Sequence, residues 1–424
     1  MKISIVIPSR ERGAYLAHSL ATVTAIDDPN LEIVVSDNAS LDDTRAIAEG
    51  CGDARVKYVN TGARVSMRQN FELGLRSSTG DYVIMFGDDD GIIPGQFPML
   101  RDILERHKPD TLSWNFLTYG WPIDGYGTKV GGVRLMRDNC FGTPERIDPA
   151  ARLRQLEDGH SDISRPLPLL YHGCMSRAYL DRLRGTEGDY FKSMSPDLYI
   201  SFRAVQHGAS HGADFLHIHH PFSINGFSPA STGGAMQTLG PKDSAGKEGG
   251  ANKTENSFLT EIKTDPLQDV IPVTKSMALA FLGTLQTVHS RYPDDPISPD
   301  YLRWYRLALI DQHKKDAATG AEIAASLDAH ADQFGTHAEL AAARKAGPPS
   351  GLEKLCTTLA RNLAKLGSFR VSTEQGGENT IFTAAQTCDR LLGGHLADTL
   401  AGKMTRSAAW ANARQRSRDF KRQL

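Results

Sequence analysis

The sequence feature that most constrains the fold is a short apolar run that ends in three consecutive aspartates. Residues 82–86 have the length and composition of a β-strand, and Asp88, Asp89 and Asp90 follow almost at once. Adjacent carboxylates repel one another unless a cation or hydrogen-bond donors compensate them. The triplet therefore predicts either a divalent metal site at the end of a strand or an Asp-rich turn that caps the helix after Pro94.

Length and composition describe an ordinary globular protein. The chain has 424 residues, more than the roughly 250–300 at which single cores stop growing, so two domains are expected. Hydrophobic residues make up 40%, charged residues 23%, and the formal net charge is −2, which argues against a nucleic-acid partner. The five cysteines are scattered and contain no Cys-x-x-Cys pair, which favours a reducing compartment and disfavours a zinc ribbon.

Apolar runs in this chain are short. The run at residues 3–7 is too short for the core of a signal peptide, and no run approaches the ~18 residues of a membrane span. We therefore expect a cytoplasmic protein.

Strand and helix patterns alternate four times within the first ninety residues. This alternation predicts βαβ units and a parallel α/β sheet, in which strand 1 lies between strands 2 and 4. Ligands bind such sheets beyond the carboxyl ends of the strands, where residues 9–12, Asp37 and the aspartate triplet converge. The predicted strands cover residues 3–7, 31–35, 56–59 and 82–86. An apolar helix face follows each of the first three strands. These faces carry Leu16, Leu20 and Val23 after the first strand, Ile47 after the second, and Met67, Phe71 and Leu75 after the third.

Two common phosphate-binding motifs are absent from the sequence. The loop after the first strand lacks Gly-x-Gly-x-x-Gly, and no Gly-x-x-x-x-Gly-Lys-Ser/Thr occurs. Phosphate would have to be bound in another way, and a metal on residues 88–90 would do so.

Four segments carry a resemblance to a known family. They are SIVIP at 4–8, EIVVSDNAS at 32–40, RQN at 68–70 and GDYVIMFGDDD at 80–90. Over residues 1 to about 100 they resemble the family 2 glycosyltransferases with the GT-A fold. The resemblance implies a mostly parallel α/β sheet flanked by helices. It also implies metal-dependent, inverting transfer of a sugar from a nucleoside-diphosphate sugar to a hydroxyl acceptor, in bacterial polysaccharide or glycoconjugate synthesis.

The same resemblance implies roles for individual residues. Asp37 would contact the base of the donor, Asp88 the ribose, and Asp90 a Mn²⁺ or Mg²⁺ ion that bridges the diphosphate. The first loop, Ser9-Arg10-Glu11-Arg12, departs from the family pattern, which leaves the identity of the nucleotide open; Arg10 or Arg12 either contacts a phosphate or lies in solvent. The donor site is expected to include Pro8, Ser9, Arg10, Asp37, Arg68, Asp88 and Asp89.

Asp197 is the predicted general base. Pro196 starts a helix pattern whose amino end presents Asp197. An inverting transferase needs one base to take the proton of the attacking hydroxyl, and in family 2 an acidic residue about a hundred positions after the Asp-x-Asp motif does this. The glutamate that commonly precedes it is missing here, and a helix cap is the alternative reading. The Ser-Pro-Asp motif at residues 195–197 is similar to that of family members that act in bacterial surface-polysaccharide synthesis.

A histidine-rich run follows at residues 215–221 and alternates like a strand. Either His219 or His220 is a candidate third metal ligand, because neutral imidazole binds divalent ions; an edge feature of the sheet is the alternative. The Gly-rich tract that starts at Asn225 and runs to about residue 257 is either a loop that orders over bound nucleotide or a linker.

The second half of the chain is predicted to be helical. We expect a transferase domain at 1–235, a Gly-rich loop or linker at 236–257 and an α-helical domain at 258–424 that provides a surface for homo-oligomers. The basic stretch at 403–424 fits contact with an anionic membrane carrying a lipid-linked saccharide acceptor, or a solvated helix. Apolar stripes are expected at Met277, Phe281, Leu285 and Val288, and at Leu352, Leu355, Leu359, Leu363 and Leu366.

Two other functions are compatible with the sequence. A binding or scaffold protein could keep the donor pocket without turnover. A sugar-nucleotide pyrophosphorylase shares a related sheet, but the Gly-rich opening of that class is absent after Ile7.

Overall fold

Two β-sheets organise the protein. The computed structural model describes residues 1–122, 130–159, 166–185, 188–228, 258–269, 276–347 and 367–423. An eight-stranded sheet has the order β3-β2-β1-β4-β10-β6-β11-β9, and a five-stranded sheet has the order β13-β8-β7-β12-β5. The strands are β1 (Ile3–Ser9), β2 (Leu31–Asp37), β3 (Val56–Asn60), β4 (Tyr82–Met85), β5 (Gly91–Ile92), β6 (Thr111–Trp114), β7 (Leu117–Gly120), β8 (Gly132–Met136), β9 (Pro144–Ile147), β10 (Gly173–Ser176), β11 (Phe215–Ile218), β12 (Ser223–Phe227) and β13 (Ser368–Ser372).

Helices cover the sheets and dominate the second half of the chain. The α/β sheet flanked by helices and the helix-rich carboxyl-terminal half are confirmed. The helices are α1 (Gly13–Thr24), α2 (Thr44–Gly50), α3 (Met67–Ser77), α4 (Phe97–His107), α5 (Pro149–Glu157), α6 (Arg177–Arg184), α7 (Pro196–His211), α8 (Phe258–Thr264), α9 (Met277–Arg291), α10 (Tyr301–His313), α11 (Ala317–Phe334), α12 (His337–Ala346), α13 (Ile381–Leu392), α14 (His395–Leu400) and α15 (Arg406–Gln423).

The centre of the large sheet is parallel and buried on both faces. β1 pairs in parallel with β2 on one side and with β4 on the other, the predicted order. Alternate residues of β1 enter two different cores: Ile5 packs with Leu16 of α1, while Val6 packs with Phe71 of α3. Both faces are thus covered, which explains why the sequence of β1 is continuously apolar.

The other half of the large sheet is mixed. β10 lies antiparallel between β4 and β6, and β9 lies antiparallel at the edge beside β11. β10 follows β4 by almost ninety residues, so its pairing could not be read from the local alternation of strand and helix.

The carboxyl-terminal half packs on both sides of the amino-terminal sheet. Apolar residues of α9 to α12 share a core with α3 and α7. Those of α13 and α15 share the other core with β1 and α1. In the first predicted stripe Phe281, Leu285 and Val288 are buried, but Met277 is 47% exposed. The division into domains stays a prediction.

One expectation for this half was wrong. The strand signal was expected to fade after residue 258, yet β13 pairs antiparallel with β8 over five residues, from Ser368↔Met136 to Ser372↔Gly132. A five-residue strand with so distant a partner has no local signature. The Gly-rich tract from residue 229 to 257 and the leucine stripe at 352–366 lie outside the described residues.

Among the helices in the described ranges, none has the combination of length and apolar character that a bilayer crossing requires.

Candidate functional site

Strand register brings the predicted donor residues to one edge of the large sheet. Ser9, the last residue of β1, pairs with Asp37, the last residue of β2, and Asp37 pairs with Asn60 at the end of β3. The Ser9 hydroxyl donates a hydrogen bond of 2.7 Å to Asp88 Oδ2. Three strand ends therefore meet at the aspartate triplet, as the parallel topology predicted.

The triplet is buried. Asp88, Asp89 and Asp90 are 1%, 3% and 0% exposed. Carboxylates this far from water need partners that compensate their charge. The structure supplies different partners to the first two aspartates and to the last.

Arg12 joins the first two aspartates. Its Nη1 lies 2.9 Å from Asp88 Oδ1, and its Nη2 lies 2.6 Å from Asp89 Oδ2. Ser228 donates a hydrogen bond of 2.6 Å to the same Asp89 oxygen. One guanidinium thus lies between two carboxylates and pairs with both, although Asp88 Oδ1 has no hydrogen-bond partner among the described residues.

Asp90 is surrounded by hydrogen-bond donors. Its Oδ2 accepts from the Gly87 amide at 2.7 Å and from the Tyr171 hydroxyl at 2.7 Å, and His172 Nε2 lies 3.2 Å away. Its Oδ1 accepts from the Gly226 amide at 2.6 Å. Three of these contacts are therefore to Oδ2, whereas Oδ1 has one.

His172 is placed by both its backbone and its ring. Its φ is +53°, in the left-handed region that non-glycine residues seldom adopt. The ring lies between Phe86 and Phe116, at centroid distances of 6.2 and 4.8 Å. Its Nδ1 is 2.9 Å from the Ser223 hydroxyl, and its Nε2 lies 3.2 Å from both Asp90 Oδ2 and Asn225 Nδ2. Sequence reasoning considered His172 as a contact to a sugar hydroxyl or as a structural residue, and did not connect it with Asp90.

The second sheet approaches the triplet closely. A Cβ on Gly226 of β12 would lie 1.8 Å from the Asp89 carbonyl oxygen. A Cβ on Gly87 would lie 2.7 Å from the Tyr171 hydroxyl. Glycine is required at both positions because backbone or side chain occupies the space a Cβ would take.

These surroundings shift the pKa values of the three carboxyl groups in different directions. Burial raises the pKa of Asp88, against the opposing effects of Arg12 and Ser9. Burial likewise raises the pKa of Asp89 to about 7, with Arg12 opposing. Burial also tends to raise the pKa of Asp90, but His172 and the donated hydrogen bonds have a larger effect, so the pKa of Asp90 is lowered. Asp90 is therefore the most firmly ionised member of the triplet.

Asp37 is held rigidly at the neighbouring strand end. It is 1% exposed, and its Oδ2 accepts from the Tyr58 hydroxyl at 2.7 Å and from Asn60 Nδ2 at 2.8 Å. Its Oδ1 accepts from the Ser40 amide at 3.1 Å. Tyr58 and Asn60 lie on β3, two residues apart, so both side chains leave the same face of that strand. Sequence reasoning missed both of them.

The two arginines predicted to contact the donor are engaged by α8 and the turn after it. Arg10 forms a double ion pair with Glu261, and its Nη2 lies 2.9 Å from Glu261 Oε1. Arg68 is 2% exposed and pairs with Asp265 and, at 2.6 Å, with Asp189. Pro8 lies within β1 opposite Ser36.

Asp197 occupies the first turn of α7, as predicted. It is exposed, and the Ser201 hydroxyl donates a hydrogen bond of 2.9 Å to its backbone carbonyl. Desolvation raises its pKa, and hydrogen bonds from the Leu198 backbone amide and its own oppose the shift. Burial first, then the charges of Asp90, Asp89 and Asp197, raise the pKa of Tyr171. Asp197 is thus within electrostatic reach of the hydroxyl that contacts Asp90.

The two candidate metal-binding histidines contact other residues. His219 lies 2.9 Å from Asn115 Oδ1 through Nδ1 and 3.2 Å from Glu145 Oε1 through Nε2. His220 is fully buried; its Nδ1 accepts from the Phe141 amide at 3.2 Å, and its Nε2 is 3.0 Å from Gln96 Oε1. The histidine that contacts Asp90 is His172.

The predicted metal site can be tested against these contacts. Carboxylate oxygens are the ligands that Mg²⁺ and Mn²⁺ prefer. However, the positive Arg12 guanidinium forms ion pairs with both Asp88 and Asp89, and three donors lie at Asp90 Oδ2 and one at Oδ1. Within the described ranges, no cluster of three or more His, Cys, Asp or Glu side chains has a metal-binding arrangement. The arrangement does not fit a divalent ion on the triplet.

Comparisons with known proteins agree with the motifs. Residues 4–154 match the model of "Glycosyl transferase family 2". A GalNAc(5)-diNAcBac-PP-undecaprenol beta-1,3-glucosyltransferase of Campylobacter jejuni is 30% identical over 102 residues, 23% of this chain and 33% of the relative. An uncharacterized glycosyltransferase of Haemophilus influenzae is 24% identical over 105 residues, 25% of this chain and 35% of the relative. The chain spans about a third of the length of each of these curated relatives.

A solved structure also resembles the chain. The crystal structure of S. aureus TarS 1-349 in complex with UDP-GlcNAc matches with a TM-score of 0.42 and 13% identity, over 82% of this chain and 92% of that one. The matched motifs, the strand order and the converging strand ends all lie in the first part of the chain. Residues 4–154 of this chain are therefore similar to glycosyl transferase family 2, in agreement with the motifs.

Proposed function

We propose that this protein is an inverting glycosyltransferase that moves a sugar from a nucleoside-diphosphate sugar to a hydroxyl group of a saccharide acceptor. The similarity of residues 4–154 to the family supports the reaction class. The name of the Campylobacter jejuni relative, which includes an undecaprenol-linked saccharide, supports a lipid-linked acceptor in bacterial glycoconjugate synthesis. The observation that carries the proposal is the register of β1 and β2. It sets Ser9 beside Asp37, and the Ser9 hydroxyl bonds Asp88.

The donor would bind across these strand ends. Asp37, fixed by Tyr58 and Asn60, presents its carboxylate at the end of β2 for a base N–H or a hydroxyl. Asp88 lies on the adjacent strand end, where a ribose attached to that base would lie. Because the protein already orients both carboxylates, the donor would not have to order them on binding.

Asp197 would activate the acceptor. Its exposed carboxylate accepts the proton of the acceptor hydroxyl, whose oxygen then attacks the anomeric carbon. The bond from that carbon to the diphosphate oxygen breaks on the opposite face, and the nucleoside diphosphate leaves with the electron pair. Desolvation raises the pKa of Asp197, which makes this carboxylate a stronger base than an ordinary aspartate.

The prediction of a metal ion rests on the resemblance to the family, and the geometry of this chain does not support it. Mn²⁺ or Mg²⁺ on Asp90 would require displacement of the donors that hold its carboxylate. The steps above use only the side chains of the protein.

An activity assay with matched variants tests the proposal. Wild type would be incubated with a panel of nucleoside-diphosphate sugars and lipid-linked or free saccharide acceptors. Asp197→Asn should lower kcat by about 10²–10⁴-fold while nucleotide affinity stays unchanged. Asp102→Asn, which removes a partly exposed carboxylate paired with Arg106 on α4, is the control. Full activity of Asp197→Asn would refute the assignment of the base.

A binding protein without turnover is the second candidate, since the Asp37 site can hold a nucleotide whether or not transfer follows. Calorimetry that detects nucleotide-sugar binding, together with no transfer to any acceptor, would favour it. Membrane contact through α15 and oligomers through the helical half remain predictions.

A further inference from the structure

Arg12 lies where a divalent cation would be expected on the aspartate triplet. We propose that Arg12 is the resident cation of this site and binds the diphosphate of the donor, so that donor binding requires no divalent metal. The inference rests on the proposed function, because it assigns the residue that holds the donor's phosphates.

The position of Arg12 follows from the fold. It is the residue that precedes α1, in the short loop after β1, and it points toward the chain that follows β4. Its guanidinium contacts Asp88 at 2.9 Å, Asp89 at 2.6 Å and the Ser228 hydroxyl at 2.7 Å. It also lies over the ring of Tyr15, 5.5 Å from the centroid. Contacts on several sides fix the group in one place.

The guanidinium keeps capacity for an anion. Arginine has five N–H donors in a planar fork. The contacts to Asp88, Asp89 and Ser228 use three of them, and among the described residues the buried Nε has no hydrogen-bond partner. The Nε–H and one Nη1–H therefore remain; they lie on different edges of the guanidinium, and each can donate to a separate oxygen of the diphosphate.

A metal ion and Arg12 would compete for the same oxygens. A cation bound between Asp88 and Asp89 would lie against the positive guanidinium, whose side chain is only 18% exposed and has little solvent to screen it. At Asp90 the backbone amides of Gly87 and Gly226 already donate to the two oxygens, one to each, and backbone groups cannot rotate away. Wild type should therefore bind Mn²⁺ weakly, and removal of the guanidinium should create a metal site.

The first experiment measures Mn²⁺ binding to the full chain without nucleotide, by electron paramagnetic resonance. Arg12→Ala should bind Mn²⁺ at least tenfold more tightly than wild type. Arg12→Lys, which keeps the charge, should resemble wild type. Arg106→Ala, which removes an exposed arginine on α4, is the matched control. Tight Mn²⁺ binding by wild type that Arg12→Ala leaves unchanged would overturn the inference.

The second experiment measures nucleotide binding by calorimetry, with UDP, GDP, CDP and ADP as probes. Wild type should bind its nucleotide with the same affinity, within about twofold, in EDTA and in Mn²⁺. Arg12→Ala should lose at least tenfold in EDTA and recover part of that loss in Mn²⁺, and Arg12→Lys should lie between. A wild type that binds only with Mn²⁺ would overturn the inference.

If the protein did not bind a nucleoside diphosphate, as the proposed function requires, the two experiments would give a different combination of results. In that case none of the four probes would bind wild type under either condition, whereas the Mn²⁺ titration would still show whether Arg12 occupies the cation position. Thermal unfolding of each variant identifies those that fail to fold. Should Arg12→Ala unfold, Arg12→Gln keeps the side-chain length without the charge, and unchanged Mn²⁺ and nucleotide binding in that variant would contradict the inference.

Discussion

Arg68 Nε lies 2.9 Å from Asp265 Oδ2, and the two side chains are 2% and 0% exposed. Ser66, the residue that caps α3, also donates to Asp265, and Arg68 additionally donates to the Phe191 carbonyl at 3.1 Å. This buried pair connects α3 with the turn after α8, about 200 residues later in the chain. It also occupies an arginine that the family resemblance placed near the donor.

Removal of one partner should destabilise the protein. Asp265→Ala leaves Arg68 buried with Asp189 as its remaining carboxylate partner, and we expect a loss of about 3 kcal/mol in the free energy of unfolding. The double variant Arg68→Met/Asp265→Leu should recover most of that loss. Urea denaturation measures both. Arg106→Ala, which breaks an exposed pair, should change stability by less than about 1 kcal/mol; an equally small effect of Asp265→Ala would contradict the prediction.

Gly226→Ala should disturb the contact between the second sheet and the triplet. The added methyl would meet the Asp89 carbonyl at 1.8 Å, so β12 would have to move. We expect a loss of at least about 1–3 kcal/mol, seen as a lower Tm. Gly50→Ala is the control, because a Cβ there meets nothing within 4 Å. Equal melting temperatures for the two variants would show that the close approach is not required.

His220 should make stability depend on pH. Burial, and to a smaller extent Arg406, lowers the pKa of His220 to about 3. The unfolded chain, with an ordinary histidine pKa near 6.5, then binds the proton more readily, so stability is full above about pH 6.5 and falls as the pH drops toward 3.

At pH 5 this difference amounts to about 2 kcal/mol. His220→Asn, which keeps an acceptor for the Phe141 amide, should therefore lose about that much less stability than wild type between pH 7 and pH 5. Chemical denaturation at the two pH values measures it. The exposed His107→Asn should leave the difference unchanged, and a similar pH response of His220→Asn and wild type would count against the prediction.

Tyr58→Phe should weaken nucleotide binding without unfolding the protein. The substitution removes a 2.7 Å hydrogen bond to Asp37, whose remaining donors are Asn60 and the Ser40 amide. A net hydrogen bond is worth about 1 kcal/mol, so we expect affinity for the best nucleoside diphosphate to fall about fivefold. Tyr82→Phe, which removes a hydroxyl bonded to the Pro109 carbonyl at the other end of β4, should leave affinity unchanged. Calorimetry measures the two affinities. Equal nucleotide affinities for both variants would show that Tyr58 does not contribute to the donor site.

The central sheet could be predicted because its signals are local. Four apolar runs, each followed by an apolar helix face, indicate βαβ units, and the preference for right-handed crossovers limits their order. Polar residues directly after three of these runs then had to meet at one edge. The structure agrees through the Ser9↔Asp37 register and the Ser9 to Asp88 hydrogen bond.

The partners of the site could not be predicted in this way. His172 reaches Asp90 because β10 inserts antiparallel beside β4, and Gly226 reaches it because β12 of the second sheet lies alongside. The pairing of Arg10 with Glu261 joins residues about 250 positions apart. Each contact depends on how distant segments pack, and a charged or histidine side chain looks the same in sequence whether a neighbour, a ligand or water compensates it.

The sequence by itself determined which residues form the parallel strands and that Asp37 and the triplet share an edge, because strand periodicity and chain crossover rules act over short distances. Only the tertiary structure decided what compensates the three carboxylates. Burial makes an unpaired carboxylate too costly, so packing had to bring a cation and donors to them. The residues that pack against the carboxylates are Arg12 of the first loop and, from much later in the chain, Tyr171, His172 and Gly226.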